Sequence, residues 1–259
     1  MKLALTAIIT TTMLPVISVA AQPAHRPRIV GLSHISVRAH DMTASRRFYT
    51  DLLGFDEAFS IDRNHSAVMK TNLPPSQAEA VFFKVNDRQY IVLVPESKPA
   101  DQRFVDYALE TDDAEGLRLY LKSHDSKSQG YRVPDRPAHT GPANDLMFNI
   151  SDPDDTAIEI MQYTPSSVSV RTVGKFLSDR RISRRLLHVG LPASKPEMAQ
   201  FYFQILGFRE FWRAIDRAGH SKLATLSNLK VPNGDDYVEW SLTRSPLPPF
   251  GERKGPYHL

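Results

Sequence analysis

Two rhythms of apolar residues alternate along this chain, one of period 2 and one of period 3.6, and their order repeats. Ser33 to Val37 alternates, with Ile35 and Val37 on one side, as a half-buried strand does. Leu187 to Leu191 repeats this, with Val189 and Leu191 on the inward side. A helical pattern follows each strand. Phe48-Tyr49 leading to Gly54-Phe55 returns as Phe201-Tyr202 leading to Gly207-Phe208. In the later copy Met198, Phe201, Tyr202, Ile205 and Leu206 fall on one helix face, and Ser194 with Glu197 predicts a capping box ahead of it. In the earlier copy Asp41 is the predicted N-cap, and Phe48 and Leu52 are expected to face the core. Gly54 and Gly207 are the expected stops, because glycine takes the left-handed conformation without strain.

A more distant copy lies between these two. Asp106 to Asp113 reads as a strand running into a cap, and Leu117, Tyr120 and Leu121 mark a helix stripe. Asn144 to Ile150 and Ala157 to Tyr163 are predicted strands, joined by the turn Ser151-Asp152-Pro153-Asp154-Asp155. The chain therefore reads as strand, helix, three strands, begun near residues 31, 104 and 185. The spacing of 72 residues from His34 to Asp106 predicts a fourth unit near residue 260, so the 259-residue sequence is expected to stop inside that unit's first strand. The predicted organisation is a first domain over 28–165, a linker over 166–184 and a partial second domain over 185–259. The linker, rich in arginine, is expected to be solvated with a short helix.

The same alternation places ionisable groups on the strand face opposite the helix. His34 stands there beside Ile35, Glu159 between Ile158 and Ile160, His188 beside Val189, and Glu239 between Val238 and Trp240. If the sheet curls, that face lines a cavity. His65, His139 and His220 fall in turn-like or loop segments and read as surface residues, with an acid–base role as the alternative, and His40, just before the helix cap, reads as solvated.

Composition narrows the chemistry. With no cysteine, the sequence excludes disulfides, thiolate zinc sites and cysteine nucleophiles. A net charge of +3 gives no reason to expect a nucleic-acid partner. Lys2, the apolar run Leu3 to Val19 and the small residues ending at Ala21 read as a signal peptide over 1–21, which predicts a secreted or periplasmic protein with no membrane anchor after cleavage. No G-x-S-x-G elbow, phosphate-binding loop or G-x-G-x-x-G fingerprint occurs.

The ordered motifs His34-Ile35-Ser36-Val37, Phe48-Tyr49, Leu53-Gly54-Phe55, Asp152-Pro153-Asp154 and Ile158-Glu159-Ile160, echoed by His188, Phe201 to Phe208 and Asp236 to Trp240, resemble the vicinal oxygen chelate superfamily. This is the glyoxalase, bleomycin-resistance and extradiol dioxygenase group. The resemblance implies an α+β fold in which paired βαβββ modules form curved, open barrels with a divalent metal inside. It implies His34, Asp106 and Glu159 as ligands in the first domain. Val92, at a further ligand position, cannot bind. His188, Glu239 and His258 form a second set, expected to bind poorly while its barrel is incomplete. The donors suit Fe²⁺, Mn²⁺, Zn²⁺, Ni²⁺ or Mg²⁺. The implied partner is a small substrate with adjacent oxygens, and the implied chemistry is dioxygenase-like or lyase/isomerase-like. The alternative is capture of a small molecule without turnover, in the manner of bleomycin-resistance proteins. A homodimer is the compatible assembly.

Overall fold

The structure is a computed structural model that describes residues 25–69, 73–98, 102–124, 129–215, 224–243, 245–253 and 258. The signal-peptide reading over 1–21 and His220 lie outside the described residues.

Each of the three units is built on a first strand that turns into a helix and then pairs with a later strand. In the first, β1 (Ile29–Ala39) leads into α1 (Met42–Arg47), then β2 (Asp56–Asp62), the short β3 (Ala67–Val68), β4 (Ala78–Lys84) and β5 (Tyr90–Pro95). In the second, β6 (Phe104–Thr111) and α2 (Ala114–His124) precede β7 (His139–Thr140), β8 (Leu146–Ser151) and β9 (Ala157–Gln162). The third comprises β10 (His188–Ala193), α4 (Glu197–Ala199), β11 (Arg209–Ile215), β12 (Ala224–Lys230) and β13 (Tyr237–Leu242). A short α3 (Val168–Arg171) lies in the connection before it.

The first two units share one nine-stranded sheet in the order β3-β2-β4-β5-β1-β6-β9-β8-β7. β1 and β6 pair antiparallel at its centre, while β1 pairs β5, and β6 pairs β9, in parallel. This relates the two units by an approximate two-fold axis and curls the sheet into a half-barrel. The third unit forms a separate four-stranded sheet, β10-β13-β12-β11.

Asp41 caps α1 as expected, accepting from the Thr43 and Ala44 amides at 2.9 Å, and Gly54 and Gly207 end their helices at φ +73° and +76°. Two expectations fail. Phe48 and Leu52 do not face the core but are 47% and 72% exposed, while Tyr49 and Leu53 pack inward. Their counterparts Phe201 and Ile205 are buried, with Phe201 against Tyr131 of the second unit at 4.9 Å between ring centroids. That helix face is covered only where another unit stands beside it. The capping box does not form either: the Ser194 hydroxyl and amide both donate to Asp154, at 2.7 and 2.6 Å. A carboxylate acceptor from the second unit outcompetes the local partner, since charge-assisted bonds are the stronger ones.

The connection over 166–184 contains the predicted helix, yet it is not solvated throughout. Ser167, Val168, Ser169 and Thr172 are buried, and the fully buried Lys84 ammonium donates to the Thr172 carbonyl at 2.6 Å. The connection also runs over Gly54, where any Cβ would overlap the Arg180 carbonyl. Arg181 donates to the Val85 carbonyl at 3.1 Å.

A buried polar chain joins the halves: the Tyr107 and Tyr202 hydroxyls lie 2.7 Å apart, and Tyr202 donates to Asp152 at 3.2 Å. Burial pushes the Asp152 carboxyl up to about 7, against the opposing Thr156 amide bond. In the unfolded chain an aspartate titrates near ~4. The folded state therefore binds more protons across the window between these values. The contribution of Asp152 is fully present below about pH 4 and is lost as pH rises toward 7. Asp152→Asn should flatten this dependence. Urea unfolding at about pH 5 and about pH 8 should show a between-pH difference on the order of a few kcal/mol smaller in the variant than in the parent.

Candidate metal centres

The strand registers define equivalent positions in the three units. Ser36 pairs with Val92, Ala108 with Glu159, and Gly190 with Glu239. In every unit the candidate ligand on the first strand, His34, Asp106 or His188, lies two residues before that small residue. It therefore shares its strand face. A fourth instance follows: Gly190 bridges antiparallel to His258, as Ser36 does to Asp106. His258 thus occupies the Asp106-equivalent place beside β10.

In the first half, His34, Asp106 and Glu159 line one cavity of about 290 Å³. Ile35 and Tyr107 point the opposite way into the core, which keeps the neighbouring polar side chains in the hollow. The His34 Nε2 and Asp106 Oδ1 atoms are 3.9 Å apart, within the span of two ligands bound to one ion at ~2.1 Å each. The His34 ring is buried edge-on to Phe82, and desolvation lowers its pKa despite the opposing Asp106 charge, which favours the neutral imidazole that binds metals. Glu159 is pushed well above the ordinary carboxyl range by burial, then by Asp106 and Asp145. Asp106 Oδ1 is buried without a hydrogen-bond partner. Val92 is buried at its strand position and offers no donor. Asp145, raised to about 6 by burial, is a cavity residue that sequence reasoning missed, although it fell within the predicted strand Asn144 to Ile150, in phase with Met147, which lines the same cavity.

In the second half, Glu239 Oε1 and His258 Nε2 are 2.9 Å apart, and the His188 and His258 ring centroids are separated by 5.3 Å. Desolvation lowers the His188 pKa, reinforced by His258 and opposed by Glu239. The His188 ring stacks on Tyr237, nearly parallel to it at 4.8 Å between centroids, which fixes its plane. Gly190 donates its amide to the His258 carbonyl at 2.8 Å, and the imidazole fills the space a Cβ would need there. Among the described residues, no group of three or more His, Asp or Glu side chains could hold a metal ion as it stands.

His40 and His65 are exposed and paired with Glu96 and Glu79, and His139 lies near Arg136 at 3.1 Å, outside the cavity lining.

Residues 31–160 match the model of the Glyoxalase/Bleomycin resistance protein/Dioxygenase superfamily. The chain belongs to this superfamily. The fold of this vicinal oxygen chelate protein is also that of solved structures at low identity. A variant of homoprotocatechuate 2,3-dioxygenase from B. fuscum, in complex with HPCA, superposes with TM-score 0.60 at 16% identity, covering 86% of this chain and 56% of that one. The Mn(II)-bound glyoxalase from Novosphingobium aromaticivorans gives 0.56 at 16% identity, covering 84% and 63%. The chain thus spans less than two thirds of either protein's length. No curated protein matches it. Among the described residues no helix is long and apolar enough to cross a membrane.

Gly190→Ala should expel the His258 imidazole while leaving β10 paired with β13. Carboxypeptidase trimming of the C-terminal residues, followed by mass spectrometry, should accelerate several-fold, with the far-ultraviolet circular dichroism spectrum unchanged.

Proposed function

We propose that this chain is a divalent-metal-dependent vicinal oxygen chelate enzyme of the ring-cleaving dioxygenase type, with the ion held by His188, Glu239 and His258 once these side chains draw together around it. The observation that carries the reading is the approach of Glu239 to His258 at 2.9 Å with His188 alongside. Two imidazoles and one carboxylate are the donor set of non-haem iron(II) oxygenases, with coordination positions left for substrate. Donor atoms 2.9 Å apart also match neighbouring ligands on an ion with bonds of ~2.1 Å. The fold shared with homoprotocatechuate 2,3-dioxygenase supports the reaction class. The fold shared with a Mn(II)-bound glyoxalase supports a divalent ion in general.

When bound, such an ion chelates two neighbouring substrate oxygens and stabilises the negative charge that develops on them. The protein's own part is positioning. Tyr237 holds the His188 ring in plane, Gly190 leaves room for His258, and Val238 and Trp240 anchor the Glu239 strand in the core. The substrate class is a small aromatic diol, into which both atoms of O₂ are incorporated. The signal-like residues 1–21 support action outside the cytoplasm, after export.

A second reading, capture of a ligand without turnover, is favoured for the first half by Val92 standing where a ligand would be.

Reconstitution of the full chain with Fe²⁺ under anaerobic conditions should give about one bound ion per chain and catechol-dependent oxygen uptake. Glu239→Gln and His258→Ala should each lower iron affinity at least tenfold and abolish uptake. Full iron retention in both variants, or no iron bound by the parent, refutes the assignment.

A further inference from the structure

The first-half cavity has an electrostatic character that the second-half metal centre does not explain. Four carboxylates line it, those of Glu79, Asp106, Asp145 and Glu159, of which Glu79 is already paired with His65 at 2.7 Å, and neither lysine nor arginine does. Two carboxylate oxygens, Asp106 Oδ1 and Asp145 Oδ1, are buried without a hydrogen-bond partner, and Asp145 as a whole is only 7% exposed. No protein group donates to either oxygen, so their donors come from whatever fills the hollow, water or a ligand. Glu159 lies within electrostatic reach of both Asp106 and Asp145, so the three carboxylates form one group. The remaining wall is apolar: Ile61, Phe82, Val92, Val94, Met147 and Met161.

We propose that this cavity binds a small organic ammonium ion carrying a flat apolar group, independently of the metal centre in the second half. An ammonium group brings three N–H donors and the missing positive charge, which answers both orphaned oxygens. Phe82, which lines the cavity with one face stacked on Phe59 at 4.2 Å, adds aromatic surface for the apolar part. The volume of about 290 Å³, at ~30 Å³ per water displaced, accommodates roughly ten non-hydrogen atoms. The apolar wall disfavours a strongly hydrated inorganic cation and favours a ligand with an apolar end. Val92, which removes a metal ligand, supplies part of that surface.

The test is calorimetric titration of the metal-free full chain with 2-phenylethylamine and with 2-phenylethanol, which has the same shape without the charge. The amine should bind at least tenfold more tightly than the alcohol. Asp145→Asn and, separately, Glu159→Gln should each weaken the amine at least fivefold while leaving alcohol affinity within twofold. Thermal melts establish that each variant is folded. His258→Ala, which damages only the second-half centre, should leave amine binding unchanged, so the two readings fail separately. Equal affinity for amine and alcohol overturns the proposal. So does Mn²⁺ that displaces the amine in competition and loses its own binding on His34→Ala, because a metal ion then owns the cavity.

Discussion

The antiparallel pairing of β1 with β6 is the constraint on which the first half depends. With Ser36 opposite Asp106 and His34 opposite Ala108, the two units meet about an approximate two-fold axis, and the polar faces of both central strands turn into one hollow. A slip of one residue would exchange every inward and outward side chain. It would put Ile35 and Tyr107 into the cavity and His34 into the apolar core. The burial of Ile35, Tyr107, Leu109 and Ile158 beneath the sheet therefore holds the polar residues above it in place.

Much of this arrangement was legible from the chain. Period-2 alternation identified the strands, and the face of His34, Glu159, His188 and Glu239 followed from their neighbours. The recurrence of Phe-Tyr and Leu-Gly-Phe signalled the repeated units. What escaped prediction depends on contacts between units, which no local rhythm encodes. Phe48 and Phe201 sit in the same motif, yet only Phe201 meets a Tyr131. Ser194 and Glu197 make a sound capping signal, but Asp154, forty residues earlier in sequence, takes the serine. The arginine-rich connection looked solvated because its anchors, Lys84, Val85 and the bare backbone at Gly54, are distant in sequence. Asp145 was passed over although the alternation of the predicted strand Asn144 to Ile150 puts it on the face of Met147, because no repeated motif singled it out.

The two candidate centres contrast in their electrostatics. Around His34 the carboxylates outnumber the imidazole and are themselves desolvated, so the site favours protons or an added cation. Around His188 a second imidazole replaces a carboxylate, and Glu239 already has an ion-pairing neighbour in His258. One βαβββ plan has thus produced two candidate centres of different charge, through the side chains at a few equivalent strand positions. The small residues Ser36, Ala108 and Gly190 at the adjoining positions leave space for what stands opposite them.

The halves also trade carboxylates. Asp154 of the second unit holds Ser194 and Lys195 at the start of the third unit's helix. Asp236 of the third unit accepts the Leu32 amide at 2.9 Å and is gripped by Arg185 and Gln89. Gly31 beside it carries no Cβ, which would crowd that carboxylate. Recombining one half with a homologous partner from another protein would therefore strand a donor set on each side of the seam. The two halves are constrained to diverge as a matched pair, and any chimera has to transplant both aspartates together with the backbone that receives them.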